Sequence, residues 1–474
     1  MPANRGFRVR RTPTVPVHSR IVTGRRRATV LRCRFPFDDP WLPVDDRCPG
    51  PKSVIFELMN LETPADLRRR LGLGDAVVIG LGSMIGAGIF AALGPAAAAA
   101  GSGLLIGLAI AAVVAYCNAT SSARLAARYP ASGGTYVYGR ERLGEFWGYL
   151  AGWGFVVGKT ASCAAMALTV GAYAWPGHAH AVAVASVVAL TAVNYRGVQK
   201  SALLTRIVVA LVLAVLAAVV VAAGAGSAAD AGRLAIGSDT SVRGILQAAG
   251  LLFFAFAGYA RIATLGAEVR DPARVIPRAI PLALGITLVV YAVVAVAALL
   301  VLGPHGLASA TAPLADTVRA AGRPELVPVV RAGAAVAALG SLLALILGVS
   351  RTTFAMARDR HLPHRLAAVH PRFAVPHRAE LVVGTVVAVI AATADIRGAI
   401  GFSSFAVLGY YAVANASAWT LTPAEGRPPR VVPVVGAAGC AVLACTLPLT
   451  SVIWGAVVLA IGAVIYLARR SRVR

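Results

Sequence analysis

The sequence predicts an all-α integral membrane protein of about twelve transmembrane helices. They form a 5+5 inverted repeat with broken helices 1 and 6, plus two additional C-terminal helices. Three observations predict this. The chain is 58% hydrophobic and only 14% charged, whereas a soluble domain carries about 25% charged residues. The charges cluster between apolar runs that approach ~20 residues, the length that crosses a hydrocarbon core. Glycine-containing interruptions fall in the first and the sixth of those runs.

The apolar runs cover roughly 76–98, 103–126, 143–172, 179–193, 203–224, 244–264, 280–302, 331–354, 380–394, 400–419, 431–448 and 452–468. The first is crowded with glycine. The third is long enough to tilt, and the fourth and ninth are short and borrow flanking residues. The sixth is stopped by Asp271-Pro272 and Pro277, because proline disfavours helix in the residue before it.

Charge bias sets the orientation, since short cytoplasmic loops are enriched in Lys and Arg. With the N-terminus in the cytoplasm, the inner connections hold Arg128, Arg140 and Arg142, then Arg196 and Lys200, then Arg270, Arg274 and Arg278. The next holds Arg358, Arg360, Arg365, Arg372 and Arg378, and Arg427, Arg430 and the ARRSRVR tail also fall inside. The outer connections hold mainly Arg233, Arg319, Arg323 and Arg397, and those around WPGHAH and LPLTS hold no Lys or Arg. The expected location is the cytoplasmic membrane, multi-pass, with both termini cytoplasmic. The net charge of +25 then reads as topology and attraction to anionic membrane lipid. No nucleic-acid recognition module accompanies it, so no specific nucleic-acid partner is expected.

The domain reading is a basic, disordered cytoplasmic tail at 1–66, a transmembrane domain at 67–470 and a short cytoplasmic tail at 471–474. Met59, just before LETPADLRRR, is an alternative start to Met1. Of six cysteines, Cys117, Cys163, Cys440 and Cys445 lie in apolar segments, and Cys33 and Cys48 in the tail. No Cys/His spacing matches a zinc site, so no metal and no cofactor are expected.

The stretch AVVIGLGSMIGAGIF, 76–90, resembles a nucleotide-binding turn, but a dinucleotide fold also needs Asp or Glu about 20 residues later. No acidic residue occurs from Ala76 to Arg140, and the nucleotide reading is rejected. An interrupted membrane helix fits better. Gly80, Gly82, Gly86 and Gly88 tolerate unusual backbone, and unwinding frees peptide groups that are costly in hydrocarbon unless satisfied. N–H groups after a break can hold a carboxylate, and carbonyls before it can accept from an ammonium. The other reading is close helix packing, because Gly82 and Gly86 form a small-xxx-small pair. Both stay open on composition.

In the sixth run the break candidate is Phe256-Ala257-Gly258-Tyr259-Ala260. Five-span units at about 75–224 and 244–419 would have opposite topology, with the extra helices at about 431–468. Paired interrupted helices at matching positions point to the central site of a transporter.

Three ionisable residues stand out. Lys159 is the only lysine inside any of the runs. Arg261 and Glu268 follow the second break. Charge within a span is expensive and points to function, so all three are coupling or gating candidates; snorkelling or structural pairing is the plainer account of each. Asn118, Ser350, Ser403, Ser404, Asn415 and Trp153 fit helix packing as well as a lined path. No catalytic constellation emerges: Ser83 lacks evident His and Asp partners, and the histidines cluster outside the runs in HLPHRLAAVHPRFAVPH and WPGHAH. No enzyme is expected.

These residues resemble the amino acid–polyamine–organocation superfamily, in its amino acid transporter branch. GSMIGAGIF (82–90) is similar to the first-helix substrate motif. FFAFAGYARIATLGAEVRDPARVIPRAI (253–280) is similar to the sixth helix and its following loop. RYPASGGTYVYGRERLGEFWGYLAGW (128–153), NYRGVQKS (194–201) and RTTFAMARDRHLPHRLAAVHPRFAVP (351–376) match further family patterns. The resemblance covers about 67–470. It implies that Ser83, Met84, Ile85, Gly86, Ala87 and Gly88 bind the substrate carboxylate. Phe256, Ala257 and Gly258 would receive the amine, with Tyr259 nearby.

Departures bear on substrate and coupling. Ala260 stands where many cationic amino acid carriers have an acid, and Ala267-Glu268 stands where a Glu-Glu pair is common. The fifth run lacks the lysine that certain proton-coupled members carry. The expectation is secondary active amino acid transport, proton-coupled, into the cell and by alternating access. The alternatives are a carrier for polyamines or other organic cations, an amino acid exchanger, and a non-transporting membrane sensor of amino acids. The expected partners are a small-molecule amino acid, a proton co-substrate and membrane lipid.

Overall fold

The computed structural model describes residues 71–129, 133–197, 202–264 and 268–473. The tail reading at 1–66, with Cys33, Cys48 and Met59, lies outside them, as do Lys200 and Ala267. Among the described residues the fold is all helix, and the sole β-type contact is an isolated bridge between Leu71 and Val269.

Among the described residues ten helical stretches are long and apolar enough to cross a membrane. The first comprises α1 (Leu73–Met84) and α2 (Ala87–Ala91). The second comprises α3 (Leu93–Ala100), a 3-10 turn and α4 (Leu104–Arg128). Pro95 explains the joint at Ala92: it offers no N–H to the Ala91 carbonyl and its ring crowds that oxygen. The short α5 (Thr135–Leu143) leads into α6 (Glu145–Ala174), the 30-residue span that its run length showed to be long enough to tilt. Then come α7 (Ala179–Tyr195), α8 (Ala202–Ala225), α9 (Val242–Phe256) and the one-turn α10 (Ala260–Ala263).

The longest element is α11 (Pro272–Ser309), in which Gly303 takes φ 67 and ψ 175 just before Pro304. A left-handed glycine followed by proline breaks the helix there. The chain continues through α12 (Pro313–Ala320), α13 (Val327–Arg358), α14 (His377–Thr393), α15 (Ile396–Trp419), α16 (Val431–Thr446) and α17 (Leu449–Val473). The two shorter members occupy the ninth and eleventh places. Sixteen residues in α16 reach about 24 Å at helical rise, short of a bilayer's hydrocarbon core of about 30 Å. Ten long spans and two shorter helices thus stand where twelve runs were expected.

Burial separates centre from rim. The spans Glu145–Ala174, Val242–Ala263 and Ile396–Trp419 have the most buried apolar stretches, whereas those of Pro176–Tyr195 and Leu449–Arg470 are mostly exposed. The rim exposes large apolar side chains such as Val113, Val188, Leu203, Val389, Trp454 and Val464. In a span, such a surface faces lipid at no cost.

Polar side chains inside the bundle pair with one another. Asn415 Nδ2 donates to Asn118 Oδ1 at 2.6 Å and to the Tyr411 carbonyl at 2.9 Å. Ser121 donates to Asn415 Oδ1 at 2.7 Å, and Asn118 Nδ2 donates to Cys440 Sγ at 3.2 Å. This cluster joins α4, α15 and α16. It places Asn118 and Asn415 in helix packing, the plainer of their two readings.

Candidate functional site

The two interrupted helices meet at their interruptions. At the end of α1 the Ile85 N–H still reaches the Leu81 carbonyl at 2.6 Å, and the Gly86 N–H folds back to the Met84 carbonyl at 2.8 Å. Ile85 (φ −78, ψ 65) and Gly86 (φ −123, ψ −137) have left the helical region, and helix resumes at Ala87. The first break is therefore a genuine unwinding of two residues. The first N–H groups of any resumed helix lack an intrahelical acceptor, so Ala87 and Gly88 open a new set of donors inside the bundle.

The second interruption is milder. Between α9 and α10, Ala257–Tyr259 tighten into one 3-10 turn, and the backbone stays right-handed throughout. A single glycine in Phe256–Ala260 suffices for this; the denser glycines of the first span permit more.

Two glycines let the helices touch. A Cβ on Gly258 would overlap the Ser83 carbonyl group, and one on Gly88 would sit 2.6 Å from Ala255 Cα. Close backbone contact of this kind is what small residues give membrane helices. The two readings left open for the first-span glycines, unwinding and close packing, are both realised, at different positions.

Freed carbonyls find hydroxyl partners. The Tyr291 hydroxyl lies 2.6 Å from the Met84 oxygen and 3.1 Å from the Ala255 oxygen. Ser341 Oγ donates to the Gly82 carbonyl at 3.4 Å, and the Tyr411 hydroxyl to the Ala257 carbonyl at 3.4 Å. Lys159 Nζ donates to that same Ala257 carbonyl at 3.5 Å.

A cavity of about 360 Å³ opens beside this junction. Of the ten residues expected to bind substrate, Ser83, Ala257 and Gly258 line it. Met84, Ile85, Gly86, Ala87, Gly88, Phe256 and Tyr259 do not. Most of these are fully buried behind the wall: Phe256 packs on Tyr291 with ring centroids 5.2 Å apart, and Tyr259 on Tyr411 at 5.1 Å. The coupling candidates Lys159, Arg261 and Glu268 all line the cavity. Arg261 Nη1 donates to Thr264 Oγ1 at 3.4 Å.

Sequence reasoning missed the far wall. It is one face of α13, from Ser341 through Ala344, Leu345, Gly348 and Thr352 to Arg358, with Arg351 beside it. The recurrence of small and polar residues at helical spacing was the signal. The same spacing on α6 sets Phe155, Lys159, Ser162 and Met166 along the cavity.

The cavity runs toward the end of the bundle that holds Gly133, Glu268 and Arg358. There the Leu71 N–H donates to the Glu268 carbonyl at 3.1 Å, tying the start of α1 to the segment after α10. Beyond Arg358, Asp359 accepts from the Tyr136 hydroxyl at 2.7 Å and from Arg140 at 3.2 Å. His361 Nδ1 lies 2.8 Å from the same Tyr136 oxygen. Burial holds the His361 pKa below its ordinary value, against the opposing pull of Glu145 and Asp359.

Past the first break, at the other end, the space is filled. The Tyr173 hydroxyl donates to the Phe90 carbonyl at 2.9 Å and accepts from the Leu314 N–H at 3.3 Å. The Phe90 and Tyr173 rings meet edge to face at 5.7 Å.

Among the described residues no group of three or more His, Cys, Asp or Glu is placed to hold a metal ion. His370 and His377 instead join an aromatic cluster with Tyr195 and Phe373, and His361 joins the Tyr136 network.

Comparison with known proteins agrees with this architecture. The chain is 77% identical over 409 residues to an uncharacterized transporter of Mycobacterium tuberculosis, covering 86% of this chain and 93% of the relative. It is 26% identical to the branched-chain amino acid permease BcaP of Bacillus subtilis, over 88% of this chain and 96% of that one. It is 28% identical to cationic amino acid transporter 4 of Homo sapiens, over 79% of this chain and 62% of that one. The family model for amino acid permeases matches residues 75–469. A membrane bundle built on two interrupted helices, matched along nearly all of its described length by that model, is a transporter and no enzyme: the chain belongs to the amino acid permease family.

Proposed function

We propose that the protein is a secondary active transporter that takes up an amino acid across the cytoplasmic membrane, coupled to protons. The observation that carries this reading is the cavity at the junction of the two interruptions, lined by Ser83, Ala257 and Gly258 and closed beyond the first break by Tyr173, Phe90 and Leu314. A cavity that reaches one end of the bundle and stops at a packed layer is one half of an alternating-access cycle. With both termini cytoplasmic, the open end faces inward.

In this reading Ser83, Ala257 and Gly258 touch the solute. Met84, Ile85, Gly86, Ala87, Gly88, Phe256 and Tyr259 hold the backbone that presents them, and the N–H groups opening α2 attract the carboxylate. Lys159, Arg261 and Glu268, in the path between solute and mouth, are the coupling and gating groups. The relatives named for branched-chain and for cationic amino acids support an amino acid as the cargo.

The test is uptake and counterflow by the reconstituted protein over a panel of labelled amino acids, with and without an imposed pH gradient. Accumulation of at least one amino acid, increased by the gradient, is expected. No uptake or counterflow of any amino acid sinks the reading, and uptake indifferent to the gradient removes the proton. Gly86→Leu should insert normally and lose substrate binding; retained binding counts against the first break as the carboxylate site.

A further inference from the structure

The cavity's charge is lopsided. Lys159, Arg261, Arg351 and Arg358 line it, and Glu268 is the one carboxylate among its described lining residues. Arg351 and Arg358 are exposed, and Arg261 is partly exposed and hydrogen-bonded to Thr264. Lys159 does not have that relief. It is 6% exposed, lies one turn from the buried Ser162 on α6, and donates to the carbonyl of Ala257 in the 3-10 turn. None of the ion pairs among the described residues includes it. An ammonium held inside a membrane bundle without a carboxylate partner is costly, and the cost falls when an anionic group arrives.

The position adds to the charge. A carbonyl freed at an interrupted helix is where an incoming ammonium would be received, and Lys159 already occupies the one on Ala257. From there it disfavours a solute of net positive charge, whereas a zwitterion or an anion also brings a carboxylate that its ammonium attracts. Ala260, the next cavity-lining residue after Gly258 on that strand of wall, offers no opposing carboxylate.

We infer that Lys159 is a charge filter which makes the cavity select neutral and acidic amino acids and reject those with cationic side chains, as well as polyamines. The inference rests on the amino acid reading and narrows its substrate class. It runs opposite to the names of the relatives called cationic amino acid transporters.

Thermal unfolding of the detergent-purified protein with glutamate, leucine or arginine reads binding without requiring transport. Counterflow in proteoliposomes with the same three competitors reads the carrier. In the native chain, glutamate or leucine should stabilise the protein and compete, with arginine weaker by about tenfold or more, as expected for like charges in a low-dielectric site. Lys159→Met should raise the relative affinity for arginine by about that factor, and Lys159→Arg should keep the native order. Arginine binding as well as the better of the other two in the native chain overturns the inference. So does an unchanged order in Lys159→Met when the protein unfolds cooperatively, or the absence of stabilisation by all three. Charge-ordered binding without any counterflow leaves the filter standing and removes the transport reading instead.

Discussion

The Tyr291 hydroxyl sits 2.6 Å from the carbonyl oxygen of Met84, the last residue of α1 before the chain unwinds. The same hydroxyl is 3.1 Å from the Ala255 oxygen on α9. One proton on α11 therefore serves carbonyls on both interrupted helices. Tyr291 is 1% exposed, so no water replaces it.

Tyr291→Phe should leave the ring packing on Phe256 intact and remove a hydroxyl donor shared by the buried Met84 and Ala255 carbonyls. The expected loss of stability is about 1–3 kcal/mol. Unfolding of the purified variant, compared with a surface control such as Val464→Ala, checks this. An unchanged midpoint would mean that the Gly86 N–H alone satisfies the Met84 oxygen.

Gly258 faces the Ser83 carbonyl across the helix junction. A valine there must push two main chains apart, an overpacking that costs about 1–3 kcal/mol, and it also fills the cavity wall. Gly258→Val should still reach the membrane and fail in uptake. Uptake within twofold of the native rate would show that the junction opens freely during the cycle.

Tyr173 bridges the Phe90 carbonyl and the Leu314 N–H at the filled end. Tyr173→Phe leaves both peptide groups unpaired, each at a cost of about 1–3 kcal/mol, and so disfavours the closed arrangement. In a background with the other cysteines replaced, Ser83→Cys reports access to the cavity. Thiol labelling from the side opposite the mouth should speed up in the Tyr173→Phe variant; equal rates would place the barrier elsewhere.

His361 gives a pH dependence with a definite sign. Its pKa in the folded protein is lowered, chiefly by burial. The unfolded chain takes up that proton near pH 6.5 while the native chain resists it. The unfolded state then binds more protons, and stability falls as pH drops below about 6.5. His361→Asn should flatten the fall in unfolding temperature between about pH 7 and pH 5.5 relative to the native chain. A steeper fall in the variant would show that Glu145 and Asp359 dominate the site.

Much of this was legible in the residues. Charge-poor runs marked the spans, because a backbone in lipid has few alternatives to helix. Four glycines within nine residues marked the first break, and the unwound pair falls among them at Ile85 and Gly86. The sixth-helix motif located the second interruption but not its form, since a single glycine does not distinguish a 3-10 turn from an open gap. The wall on α13 was invisible as a motif. Ser341, Gly348 and Thr352 are the small and hydroxyl residues that any packed membrane helix also carries, and only the partner across the gap turns such a stripe into a lining. Lys159 stood out as a charge in a span, but its partner, a main-chain oxygen on another helix, leaves no trace in sequence.

The paired amides of Asn118 and Asn415 have a mechanical consequence. Separating α4 from α15 would break the amide–amide bond and the Ser121–Asn415 bond and leave those polar groups short of partners in hydrocarbon. In the proposed cycle these two helices would travel together as one strut. Cys440 ties α16 to the same pair through Asn118, so this short helix shares their anchorage.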